Sequence, residues 1–584
     1  MSDFRRLVLR VDLLTFLAIF AGLMALDLNY LACDLTPDDI MYAQDTESGP
    51  FGNPGLFWRS SHILWSITTF LFLRLWQLFG YHGGAILPMQ FLSVIYTALS
   101  AAIMFLILFK LTRNWIISTS VSLMFHFSAW VWLSALHPKI YPSAVMFQLL
   151  AIYFLFFPPP GKTTGPILAG LCQALSILYH FATVFFIPAP LVYFLFRHSS
   201  WRTKLLDGCT YLVSAAIIPF GFILYVYTVL MRCPPGPGLS NFIDWLLMRR
   251  ASTGAFVANR DLAAYFGFLN EQIISKFPPP AIKNDGWMLA MNHGPGITRA
   301  IYALLLLGLL VLLVAAAGLI AARFTGKLTH ASTAFGSILS FWKNNMACFV
   351  FLAAGLLLML LAFYVVDPHN GLAYILLVPF FLLLGLSLAP LAIPGLKGLL
   401  HVFLNGILYG VLMVLVLVLF KVNLAGGIYP ASRIENNVEL MRVLSMKKHL
   451  ERDDVVVSLG VLPDARYFQY FLGLRVIEIQ LFFQWYNKNT SLSGQSVDPY
   501  FKLGEIINGE CKKHRVFLYS SLFRPEIPAL LRQYPPFMGM RADYFSAFFK
   551  KNYTLRFYRQ SDPDAVLYRL TPRGGNIRLP YAIK

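Results

Sequence analysis

The chain has 584 residues, of which 57% are hydrophobic and 13% charged, and its mean hydropathy is +0.62. Lys and Arg number 47 against 28 Asp and Glu, a net charge of +19. Soluble domains carry about 25% charged residues, so this composition excludes an ordinary cytosolic enzyme and a disordered chain. Several apolar runs reach the roughly 20 residues that cross a bilayer, and the chain reads as a polytopic α-helical membrane protein.

The first apolar run, Leu7 to Leu26, follows Arg5 and Arg6. Asp12 interrupts it and no small-x-small cleavage site follows, so it reads as a retained helix rather than a signal peptide. The predicted membrane helices are 8–27, 86–109, 115–134, 141–157, 166–180, 182–196, 209–231, 299–322, 343–366, 372–394 and 398–421, about eleven in all. The pair 166–180 and 182–196 is short for two crossings, and Pro188 and Pro190 interrupt it further. Segment 59–79 is long enough to span but holds Arg59, Ser60, Ser61, His62, Ser66, Thr68, Thr69, Arg74 and Gln77. That polarity suits a helix lying in the interface.

Charge supports this choice. With the N-terminus inside and 59–79 interfacial, Lys110, Arg113, Lys162, Arg197, Arg202, Lys204, Arg323, Lys327, Lys343 and Lys397 all fall on the cytoplasmic side. Loops 28–58 and 232–298 and everything beyond 422 then lie outside. The basic excess therefore argues for topology rather than for nucleic acid. The six cysteines, Cys33, Cys172, Cys209, Cys233, Cys348 and Cys511, have no CxxC spacing, and most fall in or beside apolar segments. Neither a zinc site nor a disulfide framework is implied.

The domain division is 1–422 for the membrane part and 423–584 for a soluble α/β domain. Asp454 to Gly460 reads as a buried strand closed by glycine, Asp464 to Leu472 as a helix, and Leu474 to Ile479 as a second strand. Lys502 to Lys513 is a helix, Arg515 to Ser520 a third strand, and Leu555 to Tyr568 a late hairpin. The order points to a small α/β domain. It has no GxGxxG or GxxxxGK[ST] fingerprint. The tail carries 23 basic and 14 acidic residues, a net of +9, which suits an anionic glycan or lipid acceptor or simply a surface near anionic headgroups. Asn489-Thr-Ser and Asn552-Tyr-Thr match the N-glycosylation pattern, which matters only in a eukaryote.

The first outer loop concentrates acids. Asp27, Asp34, Asp38, Asp39, Asp45 and Glu47 occur with no Lys or Arg from Val11 to Trp58. Adjacent carboxylates can hold a metal ion or supply a general base, and an acidic loop can also be plain solvated surface. Thr36-Pro-Asp38-Asp39-Ile-Met-Tyr-Ala43 follows helix one, then Asn53-Pro-Gly-Leu-Phe-Trp58, then Leu78-Phe-Gly80. Ser128 to Ser143, containing His137, Lys139 and Tyr141, would form an outer turn, and Gly170 to Thr183 with His180 precedes Pro188.

In that order these stretches resemble the first-loop pattern of GT-C superfamily integral-membrane glycosyltransferases, in the aminoarabinose-transferase and protein O-mannosyltransferase branches. The resemblance covers residues 1–230 well, the later helices in hydropathy only, and the tail hardly at all. Two departures stand out: the family's usual Asp-Glu is Asp38-Asp39 here, and its doubled proline is Asn53-Pro54-Gly55. The resemblance implies transfer of a sugar from a polyprenyl-phosphate donor to a glycan, lipid or protein acceptor outside a bacterial inner membrane. Asp38 would be the base, with Asp39 beside it and Asp34 competing, and a single displacement would invert the anomeric centre. Candidate phosphate or sugar contacts are Arg59, His62, His137, Lys139, Tyr141, His180, Arg232 and His293. Each has a plain structural alternative, such as headgroup anchoring for Arg59 and a helix break for His180. Metal use stays open, because branches of the family differ and two adjacent aspartates do not decide it. The competing classes are a transporter or flippase of lipid-linked sugars and a non-catalytic assembly protein. The absence of evident repeats weakens the former.

Overall fold

The computed structural model describes residues 2–52, 57–59, 61–160, 163–197, 199–231, 298–304, 333–366, 372–392, 399–460, 464–483, 498–523, 541–562, 565–574 and 576–580, with Phe242, Leu306, Leu307, Leu310 and Tyr486. Arg232, His293, most of the loop 232–298, most of the helix 299–322 and the turn 367–371 lie outside the described residues. Two compact units emerge. One is drawn from residues up to Ala32 and from Asp45 to Ser432, the other from Cys33–Gln44 and Arg433–Lys584.

The first unit is helical: α1 (Ser2–Leu28), α2 (Pro37–Gly52, shared with the second unit), α3 (Ile63–Leu78), α4 (Ile86–Thr112), α5 (Trp115–His126) and α6 (Ala129–Leu136). It continues with α7 (Tyr141–Phe156), α8 (Thr164–Tyr179), α9 (Pro188–Phe196), α10 (Trp201–Tyr225), α11 (Thr333–Val366), α12 (Leu372–Leu388) and α13 (Leu399–Asn423). Among the described residues five helices are long and apolar enough to cross a membrane, or six if α5 and α6, bent by 63°, form one span. The helices Ile63–Leu78, Tyr141–Phe156, Thr164–Tyr179, Phe181–Phe196 and Ile375–Leu388 are apolar but shorter. Segment 59–79 accordingly forms the 16-residue helix α3, about 24 Å at 1.5 Å per residue.

Helix α4 is the hub. It packs on α1, α5, α7 and α12, and 72% of its most apolar stretch is buried. The spans of α10 and α13 are only 22% buried, and Ile217, Phe220, Val402 and Leu417 stand 57–68% exposed on them. Apolar faces of that size need lipid or another protein to cover them. Buried amide side chains serve backbone at the interruptions of neighbouring helices, on α4 and on other helices. Gln90 Nε2 donates to the carbonyls of both Ala32 and Leu136 at 2.8 Å. Asn423 Nδ2 does the same for Phe127 at 2.7 Å, in the break between α5 and α6. Gln173 Nε2 reaches Thr183 O at 3.0 Å. At the end of α1, Asp27 is fully buried and accepts from Trp132 Nε1 at 2.9 Å, with His126 Nε2 at 3.3 Å.

The second unit holds a five-stranded sheet in the order β2-β1-β3-β5-β4. The strands are β1 (Val455–Ser458), β2 (Arg475–Glu478), β3 (Val516–Tyr519), β4 (Tyr553–Asp562) and β5 (Ala565–Pro572). β1 pairs in parallel with β2 and β3, and the β4–β5 hairpin joins antiparallel to β3. Buried on both faces, β1 and β3 read as unbroken apolar runs. One face, with Val455, Val457, Val516 and Leu518, packs on Tyr500, Leu503 and Ile507 of α16 (Pro499–Cys511) and Phe545, Phe548 and Phe549 of α17 (Ala542–Asn552). The other lies under α14 (Val438–Met446) and α15 (Asp464–Leu472), where Phe468 meets Tyr519 edge to face at 5.1 Å. Gly460, at φ +79° just past β1, sits where a Cβ would collide with the Glu478 side chain.

Asp464 begins α15 and is fully buried. Its carboxyl accepts from Ser458 Oγ at 2.9 Å and from the Ala465 N–H at 2.8 Å. Burial, with the Glu439 carboxylate nearby, pushes its pKa up to about 7 despite those hydrogen bonds. An acid raised in the folded state keeps its proton there while the unfolded chain ionises near pH 4. Its stability contribution is therefore complete below that pH and is lost as pH climbs towards 7. In the full chain, hydrogen-exchange protection of the Val455–Ser458 amides should fall between pH 5 and pH 7, by up to about tenfold per unit. In Asp464→Asn it should stay level.

Candidate functional site

Residues from four separated stretches of the first unit converge around His62. Arg59 pairs with Asp45 at 3.0 Å, the two side chains being 19% and 8% exposed. His62, at the N-cap of α3, is buried, and its Nδ1 lies 2.6 Å from Ser61 Oγ. The Phe181 N–H donates to Ser61 O at 2.9 Å, which ties the start of α3 to the break after α8. In that break His180 Nδ1 accepts from the Ala182 N–H at 3.2 Å. The His180 ring faces Tyr141 with centroids 5.1 Å apart. Below them Tyr179 OH links Thr68 at 2.8 Å with Tyr96 at 3.3 Å. Arg59, His62, Tyr141 and His180 are thus brought together. His137 is buried and Lys139 half-buried in the turn between α6 and α7, where the Lys139 N–H donates to His137 O at 2.8 Å.

Burial lowers the His62 pKa well below 6.5, and Arg59 and His180 add to the effect. His62 is therefore a neutral hydrogen-bonding group near pH 7, and Arg59 supplies the positive charge of this cluster. Arginine suits such a place because its planar fork matches phosphate oxygens.

The acidic loop divides by role. Thr36 and Asp39 form a reciprocal cap at the start of α2. The Thr36 N–H donates to Asp39 Oδ2 at 2.8 Å, and the Asp39 N–H faces Thr36 Oγ1 at 3.4 Å. The pattern Thr-x-x-Asp at 36–39 is a capping signal in the sequence itself. Asp39 is fully buried, Asp34 half-buried and Asp38 exposed. Two turns along, Asp45 holds Arg59, and Glu47 Oε1 accepts from the Ala85 N–H at 2.7 Å. Gly49, at φ 67°, then kinks α2 ahead of Pro50. Among the described residues Asp38 has neither an ion pair nor a hydrogen bond on its carboxylate, and no group of three or more His, Cys, Asp or Glu could hold a metal ion. The sequence reading listed no role for Asp45; its Arg59 partner lies 14 residues on, a spacing with no local signal.

Comparison with known proteins adds a fold likeness. Two solved neighbours are crystal structures of ArnT. One, from Cupriavidus metallidurans and bound to undecaprenyl phosphate, aligns over 95% of this chain and 97% of its own, at 12% identity and a TM-score of 0.40. The apo form from the same organism aligns over 97% and 98%, at 12% identity and a TM-score of 0.38. No family model matches the chain, and no curated protein does.

The neutral state of His62 has a measurable consequence. A histidine depressed in the folded state stabilises it fully above pH 6.5, and that contribution is lost as pH falls. The midpoint of thermal unfolding should drop between pH 7.5 and pH 5. His62→Gln should flatten that slope; an unchanged slope would mean His62 does not titrate this way.

Proposed function

We propose that the chain is a membrane glycosyltransferase of the GT-C type, which moves a sugar from a polyprenyl-phosphate donor to an acceptor on the outer side of the membrane. The observation that carries the reading is the distribution of work among the first-loop carboxylates. Asp27, Asp39, Asp45 and Glu47 are committed to Trp132 and His126, to the Thr36 N–H, to Arg59 and to the Ala85 N–H respectively. Asp38 is left exposed on the first turn of α2. The order of motifs along residues 1–230 and the gathering of Arg59, His62, Tyr141 and His180 support the same reading.

In this mechanism Asp38 takes the proton of the acceptor hydroxyl as its oxygen attacks the anomeric carbon. The bond from that carbon to the phosphate oxygen breaks, and the polyprenyl phosphate departs as an anion. It needs charge stabilisation more than protonation, which Arg59 would supply, with His62, Tyr141 and His180 as neutral hydrogen-bonding partners and Lys139, His137, Arg232 and His293 as further candidates. One displacement inverts the centre. Asp34 is the alternative base. The acceptor is a glycan, lipid or protein, and no nucleic acid is involved. About eleven crossings, an interfacial helix at 59–79, a cytoplasmic N-terminus and an outer soluble domain from 423 onward complete the proposal, which places the protein in a bacterial inner membrane.

The test uses purified protein in nanodiscs, a panel of undecaprenyl-phosphate hexoses and pentoses with radiolabelled sugar, and envelope lipid as acceptor. Transfer is expected from one of the donors. Asp38→Asn should cut it by about 10²–10⁴-fold with an unchanged melting temperature. Full activity in that variant would remove Asp38 from the role, and lipid translocation without transfer would favour a flippase. Retained cellular function after changing Asp34, Asp38 and Asp39 together to Asn would favour an assembly protein.

A further inference from the structure

The acidic segment Cys33–Gln44 belongs to the same compact unit as the C-terminal residues from Arg433 onward. What joins them is a small buried polar network. Asn437 Oδ1 caps α14 by accepting from the Leu440 N–H at 3.0 Å. Its Nδ2 donates twice, to Cys33 O at 2.9 Å and to Tyr467 OH at 3.0 Å. The Tyr467 hydroxyl donates to Leu35 O at 2.6 Å. Asn437 is 7% exposed and Tyr467 1% exposed.

Every proton in this network has an acceptor. The orientation of the Asn437 amide is also fixed. Flipped, its NH₂ would face the Leu440 N–H, and its oxygen would face Cys33 O, so both contacts would become repulsive. Burial pushes the Tyr467 hydroxyl above its ordinary pKa, and the carboxylates of Asp34, Asp39 and Glu439 add to that. Tyr467 therefore remains a donor at any working pH, and the aspartates of the loop are its electrostatic neighbours.

The two carbonyls it holds, at Cys33 and Leu35, lie immediately before the Thr36–Asp39 cap. Fixing them fixes the direction in which α2 begins, and Asp38 is on the first turn of that helix. A network that satisfies all its members can rigidify a segment in this way. An error of about 1 Å in placing a catalytic group costs on the order of 10²-fold in rate. We propose that Tyr467 and Asn437 are positioning residues: the C-terminal domain holds the backbone of residues 33–35 so that the first-turn carboxylate of α2 is aimed. This rests on the reading of Asp38 as the base.

The experiment compares three full-length variants in nanodiscs. Tyr467→Phe removes only the hydroxyl that bonds the loop. Tyr519→Phe removes a comparable hydroxyl of the same domain, which donates to Glu439 Oε1 at 2.7 Å. Asp38→Asn tests the underlying reading. Two quantities are read: hydrogen exchange across residues 33–44, and kcat and KM on the undecaprenyl-phosphate sugar that supports transfer. In Tyr467→Phe, exchange at 33–44 should quicken, and kcat should fall by about tenfold or more with the donor KM unchanged. Tyr519→Phe should leave both near wild type.

Equal losses in the two tyrosine variants would mean general destabilisation and overturn the proposal. So would unchanged exchange at 33–44 in Tyr467→Phe, or quickened exchange with full kcat. If Asp38→Asn is fully active while Tyr467→Phe loses kcat, the base assignment fails and the positioning role survives with Asp34 as the group positioned. If both are fully active, both ideas fall.

Discussion

In a bilayer no water is present to satisfy a backbone group that a helix has let go, so every interruption of a membrane helix needs a protein partner. Three interruptions of this chain are each held by a buried amide side chain. Gln90 takes the carbonyls of Ala32 and Leu136, which border the acidic loop and the turn with His137 and Lys139. Gln173 takes Thr183 O, three residues past His180. Asn423 takes Phe127 O, next to the Asp27, His126 and Trp132 cluster. Each bond is individually modest, about 1 kcal/mol. Left unmade in an apolar setting, the same carbonyl would cost several times more, and that asymmetry lets three amides determine where helices stop.

Buried acids of the second unit show the same dependence on their partners. Asp39 and Asp464 are both fully buried at the first turns of helices. Asp39 accepts the Thr36 N–H and lies at the positive end of the α2 dipole, which favours a carboxylate. Asp464 also caps its helix but shares its surroundings with Glu439, and that second carboxyl helps to raise its pKa.

Much of the second unit was legible from local pattern. Short apolar runs marked β1 and β3, Val476-Ile477 between Arg475 and Glu478 marked β2, and the helix at 464–472 matches its reading residue for residue. The long apolar runs near 86–109 and 398–421 likewise became Ile86–Thr112 and Leu399–Asn423. The candidate site was legible in membership, as with Arg59, His62, Tyr141 and His180, but not in its partners. Asp45 gives no local sign of bonding Arg59. The attachment of Cys33 and Leu35 to Asn437 and Tyr467 is invisible for a sharper reason. The acceptors are backbone carbonyls, which every residue has, and the donors lie 404 and 432 residues downstream. Periodicity and motif spacing report local geometry, and a contact of that separation leaves no trace in either.

A carboxylate intended as a base must not be the partner of a guanidinium. A cation within about 4–6 Å favours the ionised form and lowers basicity, so an Arg-paired aspartate accepts a proton poorly. A site that handles a phosphate nevertheless needs an arginine. In this chain Arg59 pairs with Asp45 at 3.0 Å. Asp38, seven residues before Asp45 on the same helix, is exposed and has no ion pair among the described residues. On the proposed reading, two aspartates of one helix would divide the work, Asp45 pairing with the cation and Asp38 serving as the base.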